Sequence, residues 1–112
     1  MLDFDMYSDK ARETAIYPGK GKLVGLLYTT IGLTGEAGEL ANKVKKILRD
    51  DNGIISEERK IAIAEEIGDT LWYCAMICDE LGLRMAKVAN DNITKLANRK
   101  FLGKISGEGD KR

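Results

Sequence analysis

The sequence contains no histidine. That absence removes Ser-His-Asp and Cys-His catalysis, histidine zinc sites, and the Glu-x-x-His ligand pattern of di-iron helical bundles. Acid–base work and metal ligation are left mainly to Asp and Glu, whose hard oxygens suit Mg²⁺ or Mn²⁺. Charge of one sign is also missing, because 18 basic residues balance 18 acidic ones. A duplex-DNA binder usually carries a basic surplus, so nucleic acid is not expected as the main partner. Cysteine is scarce. Cys74 and Cys78 stand one helical turn apart on an apolar stripe and are expected to be reduced core thiols of a cytosolic protein. A metal pair there would lack further ligands. The start, Met1-Leu2-Asp3-Phe4-Asp5, has no basic segment leading into an apolar one, and no run approaches the length of a membrane span. A cytoplasmic location and no membrane partner are expected. Strand-like alternation and low-complexity tracts are absent, and 112 residues make one domain, 1–112, with a modest core.

What is present reads as helix. From about residue 3 to 16, Phe4, Tyr7, Ala11 and Ala15 fall on one side, and Pro18-Gly19 ends the segment. The link Gly19-Lys20-Gly21-Lys22 has the wrong spacing for a P-loop. It is an interhelix loop or, alternatively, places a lysine toward a phosphate. From about 23 to 49, Leu33, Ala37, Leu40, Val44 and Ile47 form a packing stripe, flanked by Glu36, Glu39 and Lys43. Gly25, Gly32, Gly35 and Gly38 interrupt this helix, each at a cost of up to about 1 kcal/mol relative to alanine. Another helix or a ligand approaching the backbone would account for them, and a bend near Gly32 is an alternative. Asp50-Asp51-Asn52-Gly53 signals a turn, and Ser56 is a good N-cap for a helix from 57 to 81, with acids in its first turn. Its stripe is Ile63, Ile67, Leu71, Cys74, Cys78 and Leu81, and Gly82 closes it. A last helix, about 84 to 101, carries Met85, Val88, Ala89, Ile93, Leu96 and Ala97 on one face, with Asn92, Lys95 and Arg99 on another. The tail, 103–112, is expected to be irregular. The fold class is therefore all-α, four helices joined by short links.

The chemistry concentrates in two stretches, Gly35-Glu36-Ala37-Gly38-Glu39 and Glu65-Glu66-Ile67-Gly68-Asp69. Residues three apart lie on one helix face, so each stretch presents two acids in one direction. Two such helices facing each other gather four carboxylates. Like charges so placed repel, and a divalent cation removes the objection. Mg²⁺ held by Glu36, Glu39, Glu66 and Asp69 would suit phosphate esters and anhydrides, with a spare carboxylate taking a proton from a bound water. Lys95 and Arg99 could stabilise charge developing on phosphates, and Tyr73 or Trp72 could offer a face to a base. Against this, Glu39 and Lys43 are placed for a simple surface pair, Trp72 and Tyr73 for packing, and Asn92, Lys95 and Arg99 for a solvated face.

Glu36-x-x-Glu39, followed after 26 intervening residues by Glu66-x-x-Asp69, resembles the EXXE…EXXD signature of the MazG-like nucleotide pyrophosphohydrolases. The stretches GLTGEAGELANKVKKILRD and EEIGDTLWY look like that family's motif helices, and NITKLANRKFLG followed by SGEGDKR is similar to the end of some small members. The resemblance covers nearly the whole chain. It implies a four-helix bundle of the all-α NTP pyrophosphatase type, assembled as a homodimer or homotetramer. It implies Mg²⁺-dependent hydrolysis of a nucleoside triphosphate between the α and β phosphates, to monophosphate and pyrophosphate. It makes Glu36, Glu39, Glu66 and Asp69 the metal ligands and catalytic acids, gives Tyr73 a contact to the base, and gives Asn92, Lys95 and Arg99 contacts to phosphate. Glu65 offers a competing register, but its step of four to Asp69 breaks the pattern.

Two other functions use the same residues. A non-catalytic regulatory module would bind nucleotide and metal without turnover, and a purely structural helical oligomer would keep the acids as surface residues. Independently of the resemblance, Gly25, Leu26, Leu27 and Ile31 suggest more apolar surface than one small bundle needs, so association between copies is expected.

Overall fold

The computed structural model describes residues 1–107. Four α-helices follow in chain order, α1 (Phe4–Arg12), α2 (Leu23–Asp50), α3 (Glu57–Glu80) and α4 (Met85–Phe101), with no strand among the described residues. The boundaries of α2, α3 and α4 fall within a residue of those read from the sequence. Helix α1 does not, because it stops at Arg12 rather than continuing to 16. In a continued helix the Ala11 carbonyl would receive the Ala15 N–H. Here it receives the Thr14 N–H and hydroxyl and the indole N–H of Trp72 on α3, while the Ala15 N–H turns to Arg12. A tertiary donor thus displaces the helical one.

The ends are built from recognisable local chemistry. Asp3 caps α1 by accepting the Met6 N–H at 2.7 Å, and Ser56 caps α3 through the Arg59 N–H at 3.1 Å. Gly82, at φ +66°, ends α3 in a Schellman turn: the Leu83 N–H reaches the Cys78 carbonyl and the Gly82 N–H that of Asp79. Helix α4 has no cap of its own. Asp5 on α1 supplies one, accepting the Ala86 N–H at 3.0 Å through Oδ1 and the Arg84 guanidinium at 2.7 Å through Oδ2.

Helices α2 and α3 form a long antiparallel hairpin. Gly25 lies against Glu80 and Gly32 against Tyr73, and Lys43 reaches Glu66. Helix α1 packs on α3, and α4 packs on α1 and touches α3, but neither α1 nor α4 lies against α2. The core sits where α1, α3 and the start of α4 meet. It consists of Ala11, Ala15, Ala75, Met76, Cys78 and Met85, with Tyr7, Tyr17, Leu71, Trp72 and Cys74 packed around it. Both cysteines are free thiols, as expected, and burial pushes their pKa values up.

The four helices do not close into a compact bundle among the described residues of one chain. The radius of gyration is 16.9 Å, against about 13 Å for a compact domain of roughly 100 residues. Of the anticipated stripe on α4 only Met85 is buried, and Val88, Ile93 and Leu96 are exposed. On α2, Ile47 is buried while Leu23, Val24, Leu27 and Ile31 are exposed, as are Ile67 on α3 and Leu81 at its C-terminal cap. The cause is topological: α4 packs on α1 and not on α2, so none of the described helices covers the outer face of the hairpin. Residues 103–107 contain no helix, and the rest of the anticipated irregular tail lies outside the described residues. No helix among the described residues is long and apolar enough to cross a membrane.

Candidate metal centre

The antiparallel crossing of α2 and α3 places Glu36 opposite Glu66 and Asp69. One carboxylate oxygen from each of the three lies within 4.8 Å of the others. Glu66 is buried, only 8% exposed, while Glu36 is half-buried and Asp69 exposed. The group is therefore a rim with one deep member. Glu66 Oε1 takes the Lys43 ammonium at 2.8 Å. Its other oxygen, Oε2, is buried with no hydrogen-bond partner. A carboxylate oxygen out of water and without a donor is costly, and a bound cation meets that need.

The charges respond to this crowding. Glu36 holds its proton above the usual carboxylate range, chiefly because that proton is shared with Glu66, then through burial and the negative charges of Asp69, Glu66 and Glu39. Glu66 moves the other way, held ionised first by Lys43 and then by the hydrogen bond from Glu36. Two neighbouring carboxyls pushed apart in this manner divide the work between one that carries a proton and one that carries a charge.

Glu39 stands one turn further along α2, exposed and outside the group of three, though its charge acts on both Glu36 and Lys43. The surface pair of Glu39 with Lys43 does not form. Lys43 crosses to α3 instead, where it also approaches the Ala62 carbonyl at 3.4 Å. That role was missed in the sequence, although Lys43 lies two turns beyond Glu36 and hence on its face.

Beside Glu36 opens a cleft of about 340 Å³, lined by Tyr28, Ile31, Gly32, Gly35, Glu36 and Tyr73. Tyr73 is in it because Gly32 has no side chain: a Cβ at 32 would enter the tyrosine ring. Burial first, then Tyr28 and Glu36, raise the Tyr73 phenol's pKa. Two of the four glycines in α2 thus have intrachain causes, Gly32 under Tyr73 and Gly25 under the Gly19 carbonyl and Glu80. Gly35 and Gly38 have none, because a Cβ at either meets nothing within 4 Å. Helix α2 runs through Gly32 as one helix.

Trp72 turns away from the cleft. Its indole N–H donates to Thr14 Oγ1 at 2.9 Å and to the Ala11 carbonyl, and its ring meets Tyr17 and Tyr73 edge-on. It docks α1. Asn92 and Lys95 line a separate depression on α4 with Val88 and Asp91, and Arg99 is buried near the end of that helix. Since α4 does not lie against α2, one chain by itself does not bring these three residues to Glu36.

With this geometry in hand the comparisons with known proteins decide the family. The model of the MazG nucleotide pyrophosphohydrolase domain matches residues 26–101. This chain belongs to the MazG family. The matched span takes in α3, α4 and α2 from Leu26 onward, including all four motif acids. The chain is also 48% identical, over 114 aligned positions covering 99% of it and 100% of the relative, to the Gene 37 protein of Mycobacterium phage L5. No solved structure matches.

The residues present fit a hard divalent cation. The donors are all carboxylate oxygens, they converge from two helices, and one of them is buried without a partner.

Proposed function

We propose that this chain is a Mg²⁺-dependent pyrophosphohydrolase that cleaves a (d)NTP between its α and β phosphates, releasing the monophosphate and pyrophosphate in nucleotide-pool control or house-cleaning. Family membership supports the reaction class. The observation that carries the reading to this chain is the buried, partnerless Oε2 of Glu66, within a carboxylate group whose charges otherwise oppose one another. Glu36, Glu66 and Asp69 would hold the cation, with Glu39 joining from the next turn, and Mn²⁺ could substitute. When bound, the cation neutralises phosphate charge and acidifies a coordinated water.

The remaining tasks fall to the chain's own groups. Glu36, which lines the cleft beside the acids, is the candidate to accept a proton from the attacking water at its free oxygen. The cleft walled by Tyr28, Ile31 and Tyr73 offers aromatic surface for a base, so that the nucleotide's phosphates would lie toward the acids. Trp72 contributes by holding α1 and Tyr73 in place.

The exposed apolar residues of α2 and α4 support assembly as a homodimer or homotetramer. In that assembly Asn92, Lys95 and Arg99 of one copy would serve the acids of another as phosphate contacts. The setting we infer is the cytoplasm.

The test is a screen for Mg²⁺-dependent pyrophosphate release across canonical and modified (d)NTPs, with Glu39→Gln and Glu66→Gln beside the unaltered protein. The reading requires release from at least one nucleotide, reduced at least about a hundredfold in either variant while helicity by circular dichroism is kept. Nucleotide and Mg²⁺ binding without any release would instead mark a regulatory module.

A further inference from the structure

Lys43 is the cationic side chain placed against the deep member of the acidic group. Its Nζ lies 2.8 Å from Glu66 Oε1 and 3.4 Å from the Ala62 carbonyl, one turn earlier on α3. These two contacts fix the head of an otherwise flexible side chain between α2 and α3. The consequence for Glu66 is unequal use of its oxygens: Oε1 is engaged, and Oε2 is buried with no hydrogen-bond partner. A carboxylate anchored through one oxygen has its rotamer set and its other oxygen free. The nearby Thr70 hydroxyl is not available for this anchoring, since it is used on the backbone carbonyl of residue 66.

We propose that Lys43 is a positioning residue for the metal centre, acting through Glu66 by holding Oε1 so that Oε2 is presented to the cation. This rests on the metal-site reading above. Outer partners that orient a ligand typically matter tenfold to a hundredfold in metal affinity or activity. The competing account is that Lys43 only relieves negative charge. That account gives the opposite sign, because an ammonium beside a cation site repels the cation, and removing it should tighten binding.

The experiment is a Mn²⁺ titration of the full chain, read by the electron paramagnetic resonance signal of free Mn²⁺, without nucleotide. Lys43→Met keeps most of the apolar stem and removes the head. It should weaken Mn²⁺ binding by at least about tenfold, and Lys43→Arg, which restores a donor to Oε1, should recover most of the loss. Lys43→Gln, lacking the reach and the charge, should weaken binding as well and stands in if the methionine variant does not fold. In a Glu66→Gln background the further change Lys43→Met should have no effect on the remaining Mn²⁺ affinity, because a residue that acts through another is silent once that other is gone. Unchanged or tighter binding in Lys43→Met or Lys43→Gln overturns the proposal, and so does an equal loss with and without Glu66. If the unaltered protein binds no Mn²⁺, the metal-site reading itself fails, a result distinct from either.

Discussion

The ring of Tyr73 occupies the space that a Cβ on residue 32 would take. The close approach of α2 and α3 beside the acids therefore depends on a glycine. Gly32→Ala must displace the ring or part the helices. The overpacking cost of about 1–3 kcal/mol exceeds the helix-propensity gain of at most about 1 kcal/mol, so a net loss of stability is expected in urea unfolding. Gly35→Ala and Gly38→Ala meet open space and should stabilise by up to about 1 kcal/mol. If Gly35 is kept because the cleft beside Glu36 receives a ligand, Gly35→Ala will raise the unfolding midpoint and also raise KM.

The raised pKa of Glu36 gives a second test. A carboxyl whose folded pKa lies above its ordinary value, 4.5, adds stability that is fully present below pH 4.5 and disappears as the pH rises through the folded value. In chelator, the metal-free protein should lose part of its stability across that window. Glu36→Gln should remove this dependence and melt higher than the unaltered protein at pH 7. Added Mg²⁺ should reverse the order, raising the melting temperature of the unaltered protein only. Thermal melts at several pH values, with and without Mg²⁺, read both effects.

Asp5 works in the opposite sense. The Ala86 N–H, then the Arg84 guanidinium, hold its carboxyl below the ordinary 3.8. Its contribution is present above pH 3.8 and fades as the pH falls through the lower folded value. Asp5→Asn should weaken the α1–α4 junction at neutral pH and flatten this part of the acid transition. Because the group is at the surface the change should be small, and it is best read by hydrogen exchange at the Ala86 amide.

Association between copies makes a fourth prediction. Leu27 and Ile31 on α2 are exposed, Ile31 at 70%, on a helix that among the described elements packs only against α3. Sedimentation at micromolar concentration should show a dimer or tetramer, and Leu27→Glu with Ile31→Glu should shift it toward monomer while helicity persists. If Lys95 of one copy serves the acids of another, dissociation and Lys95→Ala should each lower turnover. A stable monomer with full activity would remove that expectation.

Much of the candidate site was legible in order along the chain. The spacing of Glu36, Glu66 and Asp69 is set by helical periodicity, and their convergence follows once α2 and α3 are known to pair. The missing histidine limited the candidate metals before any geometry was known. Cap chemistry located Ser56 and Gly82, because both act on backbone groups within a few residues. The same local reasoning carried α1 too far, since the donor that ends it, the Trp72 indole, arrives from 61 residues away.

The amino-acid order by itself determined four helices, their approximate ends and a candidate set of oxygen ligands, since each depends on interactions within a turn or two. Only the tertiary structure decided which neighbours those helices acquire. It sent Lys43 to Glu66 rather than Glu39, put Tyr73 over Gly32, turned Trp72 toward α1, and left α4 away from α2. Helical periodicity specifies the face on which a side chain stands. What occupies the space beyond that face depends on how chain segments far apart in sequence pack together.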